Sequence, residues 1–525
     1  MKKLFILIFL VSATTLNIVL AQTAQVSPSV FAATITVEDL RQHLTTIASE
    51  NFEGRETGTP GQKKAAQYLA DQMAKLGLPP IGENKGYLQT INFISQSWSK
   101  VEMEIDGKPL RHLFDFYGYP GTNLTENSQT FKEATFLGYG IDDPKYSDYQ
   151  GVDVKGKLVV VFDGEPRHND NSYITGTKTP SDWTTNWRKK VKLAKDNGAA
   201  AILIIDRNFK QNVQDARKVI LSSRLEIGKD ENADANYVSN FFLSSEVARQ
   251  LFGEAAPKVI KTRDKIDKKG KSKSLSFPCN IQFSEKKQTT QLEGANVLGY
   301  IEGVDPTVKN EVVLVTAHYD HLGTRGGSVY FGADDNGSGT STILEVCQAI
   351  VEAKKAGVGP RRSVLCMWVS GEEKGLLGSL YYSENPIFPL AQTVADVNVD
   401  MVGRVDSKHE NNPEYIYIIG ADRLSSELHQ INEQANAKYT HLELDYTYNA
   451  ESDPNRYYYR SDHYNFAKKG IPAIFFFNGT HADYHRTTDT VDKINFEKMA
   501  KIGQLVFYTA WELANRTERI KVDKK

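Results

Sequence analysis

From Asn296 onward the chain alternates short, almost wholly apolar runs with longer segments of helical periodicity, and this rhythm constrains its fold more than any other feature. The runs EVVLVTAH, SVLCMWVS, VADVNVDM and IPAIFFFN are too short for helices and apolar on both faces, as strands buried on both sides of a sheet must be. Between the first two lies GTSTILEVCQAIVEAKKAG, in which Ile343, Leu344, Cys347, Ile350 and Val351 fall at helical spacing and Gly357 ends the helix. Strands alternating with helices predict an α/β domain, helices packed on both faces of a largely parallel, mixed central sheet.

Upstream, TVEDLRQHLTTIASENFEGRETGTPGQKKAAQYLADQMAKLGLPP reads as two amphipathic helices around a glycine-rich turn, the second stopped by Gly77 and the Pro79-Pro80 pair. Strand-like segments follow from about Tyr87 to Ile105. Near residue 110 the character changes to short apolar strands with a helix before Gly198, a compact α/β or β-rich unit. The basic run KVIKTRDKIDKKGKSKS closes that unit and reads as a solvated linker or hairpin. The expected organisation is a leader at 1–21, the first part of the main domain at 33–110, an inserted smaller unit at 111–275, and the second part of the main domain at 276–520.

A net charge of -2 over 525 residues, without a basic patch interleaved with aromatics, argues against nucleic acid as a partner. MKKLFILIFLVSATTLNIVLAQ has the two lysines, apolar run and small-residue cleavage site of a secretory signal peptide. No cysteine follows that site to carry a lipid, and no later apolar segment approaches the roughly 18 residues that span a bilayer. The expectation is an exported protein without a membrane anchor, periplasmic or extracellular. Three cysteines do not make a disulfide framework, and Cys347 and Cys366 sit where small core residues belong.

Each late strand ends in ionisable residues: His318 and Asp320 after the first, Glu372 and Glu373 after the second, Asp400 after the third, His481, Asp483, Tyr484, His485 and Asp489 after the fourth. GADDNGSG adds Asp334 and Asp335 at a helix entrance. Ligands of open α/β sheets bind at the carboxyl ends of the strands, so these groups converge on one edge. Singly, each has a structural reading as a turn, a cap or a dipole partner. Together, so many carboxylates would repel, whereas mixed His and Asp/Glu ligands suit zinc or a similar divalent ion.

The series AHYDHLG, GADDNGSG, SGEEKGLLGS, NVDMVGR, RSDHYNFAKKGIPA and DYHRTTDT resembles, in order, the motifs of the two-zinc exopeptidases, the family of bacterial leucyl aminopeptidases and glutamate carboxypeptidase. The middle unit, with VDVKGKLVVVFDGEP, resembles the protease-associated domain many members carry as an insertion. The resemblance implies two zinc ions per chain, one bound by His318 and Asp400, the other by Glu373 and His485, with Asp334 bridging both. It implies Glu372 as general base, Tyr484 as the hydroxyl that stabilises the oxyanion, and a cis peptide between Asp334 and Asp335. Asp320 would orient the His318 imidazole, Asp489 that of His485, and Asp335 would stand behind the ligands. Two dications among three ligand carboxylates favour a metal-bridging hydroxide as nucleophile.

The activity so implied is that of an exported aminopeptidase acting on peptides with a free N-terminus. A carboxypeptidase reading acidic C-terminal residues is the main alternative, and it turns on whether Arg404, Arg456 or Arg460 reaches the pocket. A glutaminyl cyclase would work with one zinc, and a receptor-like relative would have lost ligands that this chain keeps. The tyrosine-rich YTYNAESDPNRYYYRSDH fits either a side-chain pocket or loop packing.

Overall fold

Residues 27–228 and 236–524 are described by the computed structural model; the leader read at 1–21 lies outside them. Among the described residues no helix is long and apolar enough to cross a membrane. The principal strands are β1 (Leu88–Ile105), β2 (Glu126–Phe136), β3 (Leu158–Phe162), β4 (Ala201–Asp206), β5 (Ser239–Ser244), β6 (Leu275–Ile301), β7 (Val312–His318), β8 (Ser363–Val369), β9 (Thr393–Val399), β10 (Tyr415–Ile419), β11 (Glu443–Asp445) and β12 (Ala473–Phe477). They run in one sheet in the order β11-β10-β12-β9-β7-β8-β6-β2-β3-β4-β5, with β1 paired to β6.

The four apolar runs read from the sequence are β7, β8, β9 and β12, mutually parallel and buried at every position. Side chains alternate between two cores, as the pleat requires: Val313, Val315 and Ala317 on one face, Val312 and Leu314 on the other. The first face is covered by α1 (Val37–Ile47), α2 (Pro60–Leu76), α5 (Gly339–Lys355) and α7 (Phe496–Asn515). The second is covered by α6 (Leu377–Glu384), through Tyr382, and by Phe466. Helix α2 has the local signals its sequence promises: the Thr59 hydroxyl accepts from Gln62 N–H, Pro60 opens the first turn, and Gly77 closes it at φ 77°.

The middle unit is mixed α/β. Its strands β2, β3, β4 and β5 are parallel and carry a core on each face, with Val160, Leu203 and Leu243 on one side and Val161, Ile204 and Phe242 on the other. The basic run expected as a linker or hairpin is instead helix. Helix α3 (Ser245–Phe252) leads into α4 (Ala256–Lys269), which buries Val259, Thr262 and Ile266 and ends at left-handed Gly270. A two-strand ribbon joins the two halves. β6 pairs with β2 over Leu275–Lys286 and with β8 over Val297–Ile301, while β1 runs antiparallel to it from Leu88 opposite Val297 to Ile105 opposite Ile281, with one irregularity between Trp98 and Lys100.

Candidate metal centre

His318 is the last residue of β7, Asp400 follows β9 directly, and Glu372 and Glu373 follow β8 after a short turn, so parallel pairing delivers all of them to one edge. The His318 Nδ1 lies 3.0 Å from the carbonyl oxygen of Asp320, which only accepts, so Nδ1 carries a hydrogen and Nε2 is the free ligand atom. That Nε2 faces Asp400 Oδ1 at 3.3 Å, Asp335 Oδ1 at 3.4 Å and Glu372 Oε2 at 4.0 Å. The other carboxylate oxygen of Asp400 accepts from the Ser461 hydroxyl at 2.8 Å, which fixes its rotation.

A second set gathers a short distance away. His485 Nε2 lies 3.0 Å from Asp335 Oδ2 and 3.3 Å from Glu373 Oε2. His321 Nδ1 lies 2.8 Å from Glu373 Oε1 and 3.8 Å from Asp335 Oδ2. His321 is a residue that the sequence reading missed; its signal was the second histidine of AHYDHLG, three positions after the first. His485 itself adopts φ 56°, a conformation a non-glycine residue holds only where its surroundings impose it.

Asp335, and not Asp334, stands between the two sets, one oxygen toward His318 and one toward His485. The cis peptide correspondingly joins Asp335 to Asn336, one residue later than expected. Asp334 is turned away: it accepts from Gly403 N–H at 2.7 Å and the Asn478 amide at 3.2 Å, and meets His481 Nε2 at 3.1 Å. Asp489 does not orient His485. Its carboxylate accepts the backbone N–H groups of Asp334 and Asp335 at 3.0–3.2 Å and so holds the turn that aims Asp335. Asp320 orients His318 through its carbonyl; its carboxylate, 3.8 Å from the ring, instead accepts from Thr57 Oγ1 at 2.8 Å and from Glu372 N–H at 3.1 Å.

The electrostatics show how much the arrangement demands a positive charge. Burial works against the Asp335 carboxylate, yet donation from His318 and His485 holds it well below the usual carboxylate range. Burial would likewise lower the His485 imidazole, but Asp335 and Glu373 outweigh it and raise it to about 10. Glu372 is pushed well above the ordinary range, first by burial, with Asp400 and Glu373 adding to it against the pull of His318. Without a cation, protonated imidazoles must neutralise the carboxylates. Divalent ions would displace those protons, and two sets of donors, His318 with Glu372 and Asp400, and His321 with Asp335 and Glu373, are close enough to hold them. The buried mix of imidazole and carboxylate therefore fits a pair of such ions.

Beside these sets lies a pocket lined by Met401, Tyr457, Arg460, Phe475, Phe477 and Tyr484, among others. The Tyr484 ring stacks on His485 at 3.9 Å, and its phenol is pushed up by burial and by Asp335, Glu373 and Glu372, so it stays a hydrogen-bond donor. Of the three arginines singled out in the sequence, Arg460 lines the pocket; Arg404 pairs with Asp483 at 2.9 Å, and Arg456 lies over the Tyr459 ring. Tyr457 faces the pocket, whereas Tyr458 and Tyr459 pack on His463 and Tyr464.

This site lies within a segment that resembles a known family: residues 296–510 match peptidase family M28. The chain is similar to a probable leucine aminopeptidase of Arthroderma benhamiae, 33% identical over 224 residues, which are 41% of this chain and 58% of that protein. It is also similar to aminopeptidase YwaD of Bacillus subtilis, 29% identical over 41% of this chain and 44% of that protein. The chain thus spans roughly half the length of the curated relatives it matches. The aminopeptidase from Aneurinibacillus sp. strain AM-1 shares the fold around the M28 region and beyond it, with a TM-score of 0.52 and 17% identity over 95% of this chain and 98% of that one.

Proposed function

We propose that this protein is an exported aminopeptidase that removes N-terminal residues from peptides at a centre of two divalent ions, zinc by family resemblance. The observation that carries this reading is the placement of Asp335 with its two oxygens toward two different histidines, beside a general base. His318, Asp335 and Asp400 would hold one ion, and Asp335, Glu373 and His485 the other, with His321 beside Glu373. When bound, the pair supplies Lewis acidity toward the scissile carbonyl and lowers the pKa of water toward neutrality.

The remaining steps belong to the chain. Glu372 is fixed by its own N–H on Asp320 and lies 4.0 Å from His318, so its carboxylate can take the proton of the attacking water and return it to the departing amine. The Tyr484 phenol, kept protonated, donates to the oxygen on which negative charge develops. Met401, Phe475 and Phe477 offer the substrate side chain an apolar surface. The basis for export is the leader at 1–21.

One observation favours the second reading. Arg460, at the pocket, offers a guanidinium to a substrate carboxylate, as a carboxypeptidase requires. A panel of free, N-acetylated and C-amidated peptides separates the two. Acetylation is expected to cut turnover by about 10⁴-fold, as loss of a required polar group does, with amidation nearly silent. Efficient cleavage of acetylated peptides together with loss on amidation would replace aminopeptidase by carboxypeptidase. Glu372→Gln should lower kcat at least about 10²-fold against every substrate with ion content unchanged.

A further inference from the structure

The glycine-rich turn between α1 and α2 carries a fully buried arginine that no step above uses. Arg55 adopts φ 54° and is 0% exposed. Its guanidinium donates to four backbone carbonyls, all at 2.9 Å: Nε to Tyr319, Nη1 to Ile47 and to Phe331, and Nη2 to Gly332. Tyr319 lies between His318 and Asp320, and Phe331 and Gly332 open the loop that ends in Asp335. The main chain of the same turn adds two more ties, as His321 N–H donates to the Arg55 carbonyl at 3.2 Å and Gly323 N–H to that of Gly54 at 2.9 Å. Two residues on, Thr57 holds the Asp320 carboxylate.

We propose that Arg55 is a positioning residue of the metal centre, a planar fan of donors that locks the loop carrying His318 and His321 to the loop carrying Asp335. A guanidinium suits this task because its donors lie in one plane at fixed angles, so the carbonyls they meet are fixed relative to one another. An ammonium in its place has three donors on a flexible stem and cannot hold four carbonyls in that geometry. Space reinforces the choice. A Cβ at Gly332 would stand 2.5 Å from the His321 ring and one at Gly54 would stand 2.4 Å from the Tyr330 carbonyl oxygen, so the loops already touch and have one way to fit. Groups that orient metal ligands from behind typically govern 10–100-fold in affinity, although they never touch the ion.

The inference rests on the two-ion reading, and the experiment separates its failure from the failure of that reading. Zinc affinity is measured by competition with a chromophoric chelator on metal-free protein, for the native chain and for Arg55→Lys, beside the melting temperature of each metal-free form. Arg55→Lys strands at least one buried carbonyl, so its metal-free form is expected to melt lower while remaining folded at the assay temperature, and it is expected to bind zinc at least tenfold more weakly, with kcat reduced and KM little changed. In Arg55→Ala, guanidinium ion added at millimolar concentration is expected to restore zinc affinity by occupying the vacated space. Native zinc affinity in Arg55→Lys, with only the melting temperature lowered, would make Arg55 a staple of the fold and overturn the proposal. A native chain that binds no zinc at all would instead overturn the two-ion reading. If Arg55→Ala does not fold, the lysine variant decides alone.

Discussion

Asp334 and Asp335 are adjacent, equally acidic and both buried, yet backbone geometry gives them opposite tasks. Asp335→Ala should remove the shared ligand and reduce bound metal at both positions together, measured by elemental analysis after dialysis. Asp334→Ala should retain metal but strand the Gly403 N–H and the Asn478 amide, lowering stability by about 1–3 kcal/mol in denaturant titration. Metal loss confined to the Asp334 variant would reverse the assignment. The motif GADDNG announces a carboxylate at this helix entrance but not which of two, because that depends on a turn held from 154 residues away by Asp489. The residues legible in the sequence were those at strand ends, where the sheet fixes position: His318, Asp400 and the Glu372-Glu373 pair. Asp489 was legible as a site residue but not its partner, because the N–H groups it accepts lie on a distant turn, and His321 was passed over beside the stronger signal of His318. Arg55 was hidden outright, since a side chain that binds carbonyls leaves no pattern in its own neighbourhood.

At the scale of elements, mostly apolar runs betray β7, β8, β9 and β12 because burial on both faces leaves few polar positions, and those present, such as Thr316, Asp396 and Asn398, are buried and paired with one another. Helix α4 was hidden for the opposite reason. Its buried stripe is only Val259, Thr262 and Ile266 in a run dominated by charge, so composition outweighed periodicity. The short helical turn His463–Ala467 makes a prediction about acid stability. The His463 ring stacks on Phe475 of β12 at 4.9 Å, and burial lowers its pKa to about 3. Between that value and the ordinary 6.5 the unfolded chain binds a proton that the folded chain refuses, so stability must fall as pH drops through this window. His463→Phe should remove about 1–2 kcal/mol of that loss at pH 5, shifting the acid-unfolding midpoint downward as followed by circular dichroism. An unshifted midpoint would assign the acid sensitivity to other groups.

Across the whole molecule, the ribbon of β1 and β6 makes one sheet of two halves, while the metal centre draws its donors from separate loops between His318 and His485. Ions bound there would tie those loops together only in the folded state. Free metal at a hundredfold excess over its dissociation constant should therefore stabilise the chain by about 2.7 kcal/mol per ion. Chelation should lower the melting temperature in calorimetry, and an unchanged transition would mean that no ion is held. The spread of these residues along the chain also dictates an order of assembly. A growing polypeptide acquires Arg55 first, then His318, Asp335, Glu373 and Asp400, and only later His485 and the Asp489 that steadies Asp335. A copy cut between Asp400 and His485 would keep one group of donors and lose the other, so a single break in that stretch would leave the centre incomplete.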